Sequence, residues 1–304
     1  MIRVVSFLPS ITELLYELGA EDNIVGVTHE CTYPERAKKK LRVIDSIFNP
    51  NKMTSKQIDD TVSRIKKNGQ SVFVVVEENL RAARPDLIIG QGTCAVCSAY
   101  TQEVSRALEI LENTPQIEIL DPHTIDDILE SVTYIAEKIG KEKEGHALRK
   151  SLERRLVHIR SKNITVRPRV LCIEWVDPFF TAGHWIPQMV EYAGGVNLVS
   201  ATGQRSVRMT MDEVEKADPD IIIMMPCGFD AERTKLECHT TLKENQRWKN
   251  LRAVRGGNVY SVDANSYFSK PSIRTIVGVE ILGKIIHPNE FADLSVPADS
   301  FKRL

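Results

Sequence analysis

Short apolar runs alternate with amphipathic stretches over residues 1–122 of the chain. The runs predict strands at 3–8, 24–28, 72–76, 86–90 and 117–120. The intervening stretches predict helices at 11–18, 55–68 and 98–112, where apolar residues recur with the helical period. Such alternation is typical of a parallel sheet with right-handed crossovers, so we expect an α/β lobe here.

The pattern changes to helix alone over residues 123–166. One apolar stripe runs from Ile125 to Ile139, and a second runs from Leu148 to Ile159, with predicted breaks at Gly140 and Gly145. Both stripes are flanked by too many charges for full burial. We therefore expect a rigid helical connector rather than a flexible linker.

Strand and helix signals resume over residues 167–287. Strands are predicted at 169–174, 220–225 and 258–262, and helices at 186–193, 211–216 and 272–286. Residues 288–304 have no periodicity and are expected to form a surface tail. The predicted fold class is α/β, with two parallel-sheet lobes, a long helical connector and a ligand cleft between the lobes.

One short pattern occurs in both lobes. Residues 82–86 read Ala-Ala-Arg-Pro-Asp before the apolar run 87–89, and residues 217–220 read Ala-Asp-Pro-Asp before the run 221–223. In each lobe a short helix is predicted to end before Pro-Asp, and a strand follows. This repetition suggests two related lobes.

Charge and length exclude several classes of partner. The 304 residues carry 40 Lys and Arg against 41 Asp and Glu, so nothing favours nucleic acid. No stretch approaches the ~20 apolar residues that cross a bilayer, and no basic segment with an apolar core opens the chain. We expect a cytoplasmic protein, or a periplasmic or extracellular one if a leader was trimmed before Met1.

Candidate ligand-binding residues follow the predicted strands. In open parallel sheets, ligands lie outside the carboxyl ends of the strands. The residues collected by this rule are Ser10, His29, Glu30, Tyr33 and Gln91 in the first lobe, and Glu174, Trp175, His184, Trp185 and Tyr267 in the second. The expected ligand is a small molecule held between the two sets.

His184 and the aromatic residues near it admit two interpretations each. His184 precedes a predicted helix, a position that favours the neutral imidazole, and it either binds a ligand or caps that helix. Trp175, Phe179, Phe180 and Trp185 either line a flat hydrophobic site or belong to the core.

Six cysteines in a chain of this length do not indicate a disulfide scaffold. Cys172 lies in an apolar strand and is expected to be buried, whereas the other cysteines fall in predicted loops. Cys94 and Cys97 form a Cys-x-x-Cys pair at a helix start, where a thiolate is favoured. The pair could cycle redox, could bind zinc or another soft metal together with His29 and Cys31, or could be reduced thiols under a ligand.

Signatures of catalysis are absent from the sequence. It contains no Gly-x-Ser-x-Gly elbow, no phosphate-binding Gly-x-x-x-x-Gly-Lys and no dinucleotide Gly-x-Gly-x-x-Gly. A ligand-binding protein is therefore favoured over an enzyme. The alternative is a metal- or thiol-dependent enzyme or metal-binding protein that uses His29, Cys31, Cys94 and Cys97.

Six segments of the chain carry a family resemblance: RVVSFLPSITE (3–13), GVTHECTYP (26–34), RPDLII (84–89), FTAG (180–183), GGVN (194–197) and SKPSIR (269–274). In this order they resemble the periplasmic-binding-protein fold with a helical backbone (class III), and within it the cobalamin-binding proteins. The resemblance covers residues 2–287. It implies that the ligand is a metal chelate, most of all cobalamin or another corrinoid, and that an ABC transporter is a possible partner.

Thr-His-Glu-Cys (28–31), Cys-x-x-Cys (94–97) and Ala-Gly-His-Trp-x-Pro (182–187) resemble a subgroup of that family which often lacks an export signal. Exported cobalamin binders stack tryptophans over the corrin from the loops after the second and third strands. Here those loops offer Tyr33, Ile47, Phe48 and Gln91, so the aromatic clamp is thinner.

Overall fold

The computed structural model describes residues 1–92 and 99–304, apart from the side chains of 99–101. Contacts between Cα atoms divide the chain into two compact units. Unit 1 comprises residues 1–53, 60–122 and 126–150, and unit 2 comprises 54–59, 123–125 and 151–304. Each unit has its own sheet flanked by helices, which confirms the predicted α/β class with two parallel-sheet cores.

Within the described part of unit 1, six strands form one sheet in the order β4-β3-β2-β1-β5-β6. The strands are β1 (Val4–Ser6), β2 (Ile24–Thr28), β3 (Arg42–Ser46), β4 (Phe73–Val75), β5 (Leu87–Gln91) and β6 (Gln116–Leu120). All neighbours pair in parallel except β4, which runs antiparallel to β3. The central strands β1 and β5 are buried throughout, as expected for a sheet covered on both faces.

Helices of unit 1 connect these strands. They are α1 (Pro9–Glu17), α2 (Ser55–Lys67), α3 (Glu77–Ala83), α4 (Ala99–Ile110), α5 (Ile125–Lys138) and α6 (Glu142–Arg160), with 3₁₀ turns at Glu21–Asn23, Glu35–Lys39 and Pro50–Lys52. The division between the units falls inside α2 and α6 and after the first residue of α5, so residues 55–59, 125 and 151–160 of these helices belong to unit 2. Strand β3 was not predicted from the sequence.

The two predicted connector helices are present as α5 and α6, but the break at Gly145 was wrong. Gly145 lies inside α6, where a Cβ would come 2.3 Å from the Cβ of Ala136 on α5. The glycine therefore permits close packing of the two helices instead of ending one. The other predicted break, Gly140, lies between the helices with a positive φ of 69°.

The sheet of unit 2 has the order β12-β11-β10-β7-β8, and β9 pairs with β7. Its strands are β7 (Arg169–Trp175), β8 (Phe180–Thr181), β9 (Val196–Asn197), β10 (Ile221–Met224), β11 (Val259–Val262) and β12 (Phe301–Arg303). Strands β7, β10 and β11 pair in parallel. Strand β12 had no sequence signal: it pairs antiparallel with β11, and Phe291 before it is fully buried.

Helices of unit 2 are α7 (Ile186–Tyr192), α8 (Met211–Ala217), α9 (Ala231–Leu242), α10 (Gln246–Asn250), α11 (Arg252–Arg255), α12 (Ala264–Tyr267) and α13 (Thr275–Ile286). Helix α9 was missed by the periodicity, although Asp230 caps it by accepting the N–H of Arg233 at 2.7 Å. Cys238, expected in a loop, is a buried residue of α9. Cys172 is buried in β7 as predicted.

The predicted repetition is present in the backbone of both units. Arg84 ends α3 with a φ of 40°, and Asp218 ends α8 with a φ of 41°. A left-handed residue after the last helical residue is a common way to end a helix. Because Pro-Asp and a buried strand follow in both cases, the two units share one helix-to-strand connection.

Candidate functional site

The predicted residues of the first lobe lie at the carboxyl edge of the unit 1 sheet. Strands β2, β3 and β4 lie in succession on one side of β1, whereas β5 and β6 lie on its other side. The strand order therefore reverses at β1. Ligands of open α/β sheets bind at such a switch point. Ser10, His29 and Gln91 follow β1, β2 and β5, so the topology brings them to one edge.

Cys31 is the centre of a buried hydrogen-bond network at this edge. Thr12 Oγ1 lies 3.1 Å from Cys31 Sγ and 3.0 Å from Ser6 Oγ, and Thr28 Oγ1 lies 3.4 Å from the same sulfur. Burial raises the pKa of the Cys31 thiol, and the hydrogen bonds to Thr12 and Thr28 oppose this only in part. The neutral thiol is therefore the stable form when no metal ion is bound, and the role of Cys31 as a metal ligand stays a prediction.

His29 has an unusual environment for a polar side chain. Its Nδ1 atom is buried and has no hydrogen-bond partner in the described part of the chain. Its ring lies 5.8 Å from the ring of Phe73. Because an unmade hydrogen bond of a buried nitrogen is costly, this atom is a candidate for contact with a bound ligand.

The other first-lobe candidates differ in exposure. Ser10 is 4% exposed and Gln91 is 8% exposed, so both are nearly closed off from solvent. Glu30 is exposed, and Tyr33 is 45% exposed. Cys94 and Cys97 lie outside the described residues, so their predicted roles stay predictions.

Trp175 ends β7 in unit 2 and is half-buried, beside Glu174. Its indole N–H donates to the carbonyl of Ser55 at 3.2 Å, and its ring lies 5.5 Å from that of Phe229. The guanidinium of Arg233 stacks 3.6 Å from the centre of the Phe229 ring. The carboxyl ends of β7 and β10 thus carry the half-buried indole of Trp175, which lies against the buried ring of Phe229 beside a cation.

The remaining aromatic candidates divide between core and surface. Phe179 packs in the hydrophobic core, 5.9 Å from Trp248. Trp185 is 5% exposed, and its indole N–H donates to the carbonyl of Phe268 at 3.0 Å. Phe180 is half-buried under the guanidinium of Arg208. Because Phe179 and Trp185 are buried, the four rings do not form one flat site. Of the two predicted tryptophans, Trp175 has the more exposed indole.

His184 directly precedes the residue that caps α7, as predicted. Its φ is 53°, and its backbone N–H and C=O bond to Gln204 and Gly203 at 2.6 and 2.9 Å. At Gly183 a Cβ would come 2.4 Å from the Gln204 carbonyl oxygen, so only glycine fits. The Ala-Gly-His-Trp sequence thus packs one turn against the 203–206 segment and holds His184 in a strained backbone conformation.

The Nδ1 atom of His184 lies 3.3 Å from the Nδ1 atom of His123, 61 residues earlier. His123 was not among the predicted site residues. The strand-end rule could have found it, since it comes three residues after β6. Thr12 and Arg233 were also missed, because a threonine inside a helix and an arginine on an unpredicted helix carry no distinctive signal.

Tyr267 ends the short helix α12, where only a loop was predicted. Asp263 caps this helix by accepting the N–H of Ser266 at 2.9 Å. The guanidinium of Arg274 lies 4.7 Å from the centre of the Tyr267 ring. The half-buried tyrosine is therefore held by a cation on one face.

Metal-binding and membrane-spanning features were searched in the described part of the chain. Across residues 1–92 and 99–304, no group of three or more His, Cys, Asp and Glu side chains is arranged to hold a metal ion. Over the same residues, no helix has both the length and the apolar character needed to cross a bilayer.

A cavity of about 510 Å³ lies on unit 2, away from the predicted residues. Its lining includes the apolar residues Leu242, Trp248 and Val259 and the basic residues Lys235 and Lys243. Other residues of α9 and Leu304, the last residue of the sequence, also line this cavity.

Two α/β units with mainly parallel sheets, and polar and aromatic groups after their strands, define a two-domain binding-protein fold. The chain matches the model of the periplasmic binding protein family over residues 4–266 and belongs to that family. The match therefore confirms the membership in the periplasmic binding protein family that the ordered motifs suggested.

Relatives and solved structures agree with this assignment. The chain is 26% identical over 299 residues to the uncharacterized ABC transporter substrate-binding lipoprotein YvrC of Bacillus subtilis, covering 96% of this chain and 82% of YvrC. The fold is similar to that of Staphylococcus aureus IsdE complexed with heme, with a TM-score of 0.69, 19% identity and coverage of 94% and 99%. It is also similar to the vitamin B12 binding protein BtuF of Vibrio cholerae, with a TM-score of 0.65, 20% identity and coverage of 93% and 96%.

Proposed function

We propose that this protein is a substrate-binding protein of the ABC-transporter type whose ligand is a metal chelate, with a corrinoid favoured and haem as the second choice. The likeness to proteins named for binding vitamin B12 and heme, over nearly the whole of each chain, carries this proposal. Family membership supports the binding role, and the sequence offers no catalytic motif against it.

The groups at the strand ends support a flat, metal-containing ligand. In unit 1, the partnerless Nδ1 of His29 is a nitrogen donor or acceptor beside Phe73. In unit 2, the half-buried indole of Trp175 offers an aromatic face, and His184 offers an imidazole held by its backbone. Aromatic surface with a few fixed polar groups is the usual lining of a small-molecule site.

Several finer expectations remain proposals. The ligand contacts of Ser10, Glu30, Tyr33, Gln91, Glu174, Trp185 and Tyr267, and a single cleft formed by both sets, stay predictions from the sequence. A transporter partner is proposed from the class of the relatives. The expected cytoplasmic location stays a prediction that cell fractionation would check.

A ligand titration tests the proposal. Purified protein is titrated separately with cyanocobalamin and haemin, and absorbance and tryptophan fluorescence are followed. We expect a spectral shift and quenching with a Kd in the micromolar range or below. Trp175→Phe should remove much of the quenching, whereas Trp248→Phe, at a core residue 7% exposed, should keep it. No binding tighter than about 1 mM to either compound would contradict the proposal.

The alternative is a metal or thiol function that uses His29, Cys31, Cys94 and Cys97. The partnerless Nδ1 of His29 is the observation that favours it. Metal analysis of protein purified from cells separates the two functions. A stoichiometric metal that is lost when Cys94 and Cys97 are both replaced by serine would support the alternative.

A further inference from the structure

His123 and His184 form a pair of neighbouring, tilted imidazoles within unit 2. Their Nδ1 atoms are 3.3 Å apart, and their ring centroids are 5.4 Å apart with an interplanar angle of 31°. The separation is longer than the usual range of about 2.7–3.2 Å for an N–H···O hydrogen bond. The two nitrogens are thus joined by a long hydrogen bond at most, and which ring donates depends on the tautomers of the two imidazoles.

The separation fits two ligands of one metal ion. Zinc–nitrogen bonds are about 2.0–2.1 Å long, and two such bonds at a tetrahedral angle place their nitrogens about 3.3–3.4 Å apart. Imidazole nitrogen suits zinc, copper, nickel and cobalt ions. The distance between the two Nδ1 atoms would therefore need almost no change when an ion enters.

Helix α7 positions both histidines, His184 through the chain itself and His123 through a hydrogen bond from the segment that carries it. His184 lies two residues before α7, with its backbone bonded to Gln204 and Gly203. On the other side, the N–H of Ile125 donates to Gln188 Oε1 of α7 at 2.7 Å, and Gln188 Nε2 donates to the hydroxyl of Tyr192 at 2.9 Å. Helix α7 therefore fixes the segment that carries His123 beside the turn that carries His184.

We propose that His123 and His184 chelate a borderline divalent transition-metal ion such as Zn²⁺ in unit 2. Two nitrogens occupy half of a tetrahedral shell, and water or oxygen donors of a bound ligand fill the rest. This site differs from the one predicted at His29, Cys31, Cys94 and Cys97. It does not depend on the proposed corrinoid or haem ligand, since the bare ion is its own probe.

Zinc titration of the untagged, metal-stripped full-length protein tests the site. The variants are His123→Gln and His184→Asn, since asparagine tolerates the positive φ at this position better than most residues. The matched control is His146→Gln, at an exposed histidine of α6. A second control, Cys94→Ser with Cys97→Ser, removes the other predicted thiol ligands.

Wild type and both controls should bind one Zn²⁺ with micromolar affinity and show a raised thermal unfolding midpoint. Each site variant should bind at least about tenfold more weakly. With Cu²⁺, the electron paramagnetic resonance spectrum should show two coordinating nitrogens, and one in either site variant. Unfolding midpoints without metal show whether each variant is folded.

Two results would overturn the proposal. One is wild-type protein that binds Zn²⁺ no tighter than about 1 mM. The other is equal Zn²⁺ affinity in His123→Gln, His184→Asn and the His146→Gln control, which would leave the pair as a packing contact between two rings.

Discussion

The Asp86 carboxylate accepts the backbone N–H of Arg3 at 2.8 Å, just before β1 begins. Asp220 accepts the N–H of Arg169 at the same 2.8 Å, at the start of β7. Each arginine also donates through Nη2, at 2.6 Å, to the last carbonyl of a helix, Ala83 in α3 or Ala217 in α8. The two units therefore tie the end of a helix to the start of a central strand in the same way.

These two aspartates should contribute similarly to stability. Replacing either one by alanine leaves a backbone N–H without its charged acceptor, so Asp86→Ala and Asp220→Ala should each lower the free energy of unfolding by about 1 kcal/mol. The Asp220 variant also loses an ion pair with Arg252 at 2.7 Å, so its free energy of unfolding should be the lower of the two. Urea unfolding measures both.

The control for this prediction is Asp22→Ala, at an exposed residue of a 3₁₀ turn. Surface substitutions of that kind change stability by no more than about 0.5 kcal/mol. If Asp86→Ala and Asp22→Ala unfold at the same urea concentration, the shared connection does not stabilise unit 1.

Gly145 should resist replacement by alanine, although alanine normally stabilises a helix by about 1 kcal/mol relative to glycine. The new Cβ would lie 2.3 Å from the Cβ of Ala136, so α5 and α6 must separate. We expect Gly145→Ala to lower the free energy of unfolding by about 1–3 kcal/mol. Adding Ala136→Gly should restore part of the loss, and an absence of any rescue would argue against the contact as the cause.

Cys238 should make the protein sensitive to alkali. Burial, with a smaller effect from Glu237, raises the pKa of this thiol to about 12 from an ordinary value near 9. A raised pKa means that the neutral thiol stabilises the fold fully below pH 9, and this contribution is lost as the pH rises toward 12. Urea midpoints measured from pH 7 to 10.5 should therefore fall less steeply in Cys238→Ala than in wild type.

The control is Cys227→Ser, because Cys227 is exposed. Its midpoints should follow the wild-type pH profile. Identical slopes in Cys238→Ala and wild type would show that the buried thiol makes no such contribution. Iodoacetamide at pH 8 offers a second check, since Cys227 should react well before Cys31, Cys172 and Cys238.

Replacing His29 should weaken ligand binding without lowering the stability of the fold. Its Nδ1 atom is buried without a hydrogen bond, so His29→Leu removes an unsatisfied polar atom and should leave the free energy of unfolding unchanged or slightly higher. If the nitrogen contacts the ligand, the same change should weaken binding at least about tenfold. Thr32→Ala, at an exposed residue in the loop after His29, is the matched control. A marked loss of stability with unchanged binding would assign His29 to the fold.

The main elements could be predicted because buried strands and amphipathic helices have clear periods. Strands β2 and β5 were placed within one residue of their observed ends. Helix α9 was missed because Leu236, at a core-like spacing in sequence, is 65% exposed, while the polar Thr234 is fully buried. Strand β12 was missed because a three-residue edge strand has too few positions to show alternation.

Candidate residues at strand ends could be collected from the sequence, but their environments could not. The sequence gives no sign that Cys31 forms hydrogen bonds with threonines of two other elements, or that the buried indole of Trp185 donates to the carbonyl of Phe268. The His123–His184 pair joins residues 61 positions apart, and only the packing of α7 against residues 123–125 brings them together.

Gly183 and the positive φ of His184 have a consequence for ligand exchange. The imidazole is attached to backbone whose conformation is set by hydrogen bonds to residues 203 and 204, so few alternative orientations of this turn are open to it. The conformational entropy of the turn is lost when the chain folds and not when a ligand arrives. An ion or chelate that uses this nitrogen meets a donor already in place, and its affinity should be set by the contact itself and not by the ordering of the protein.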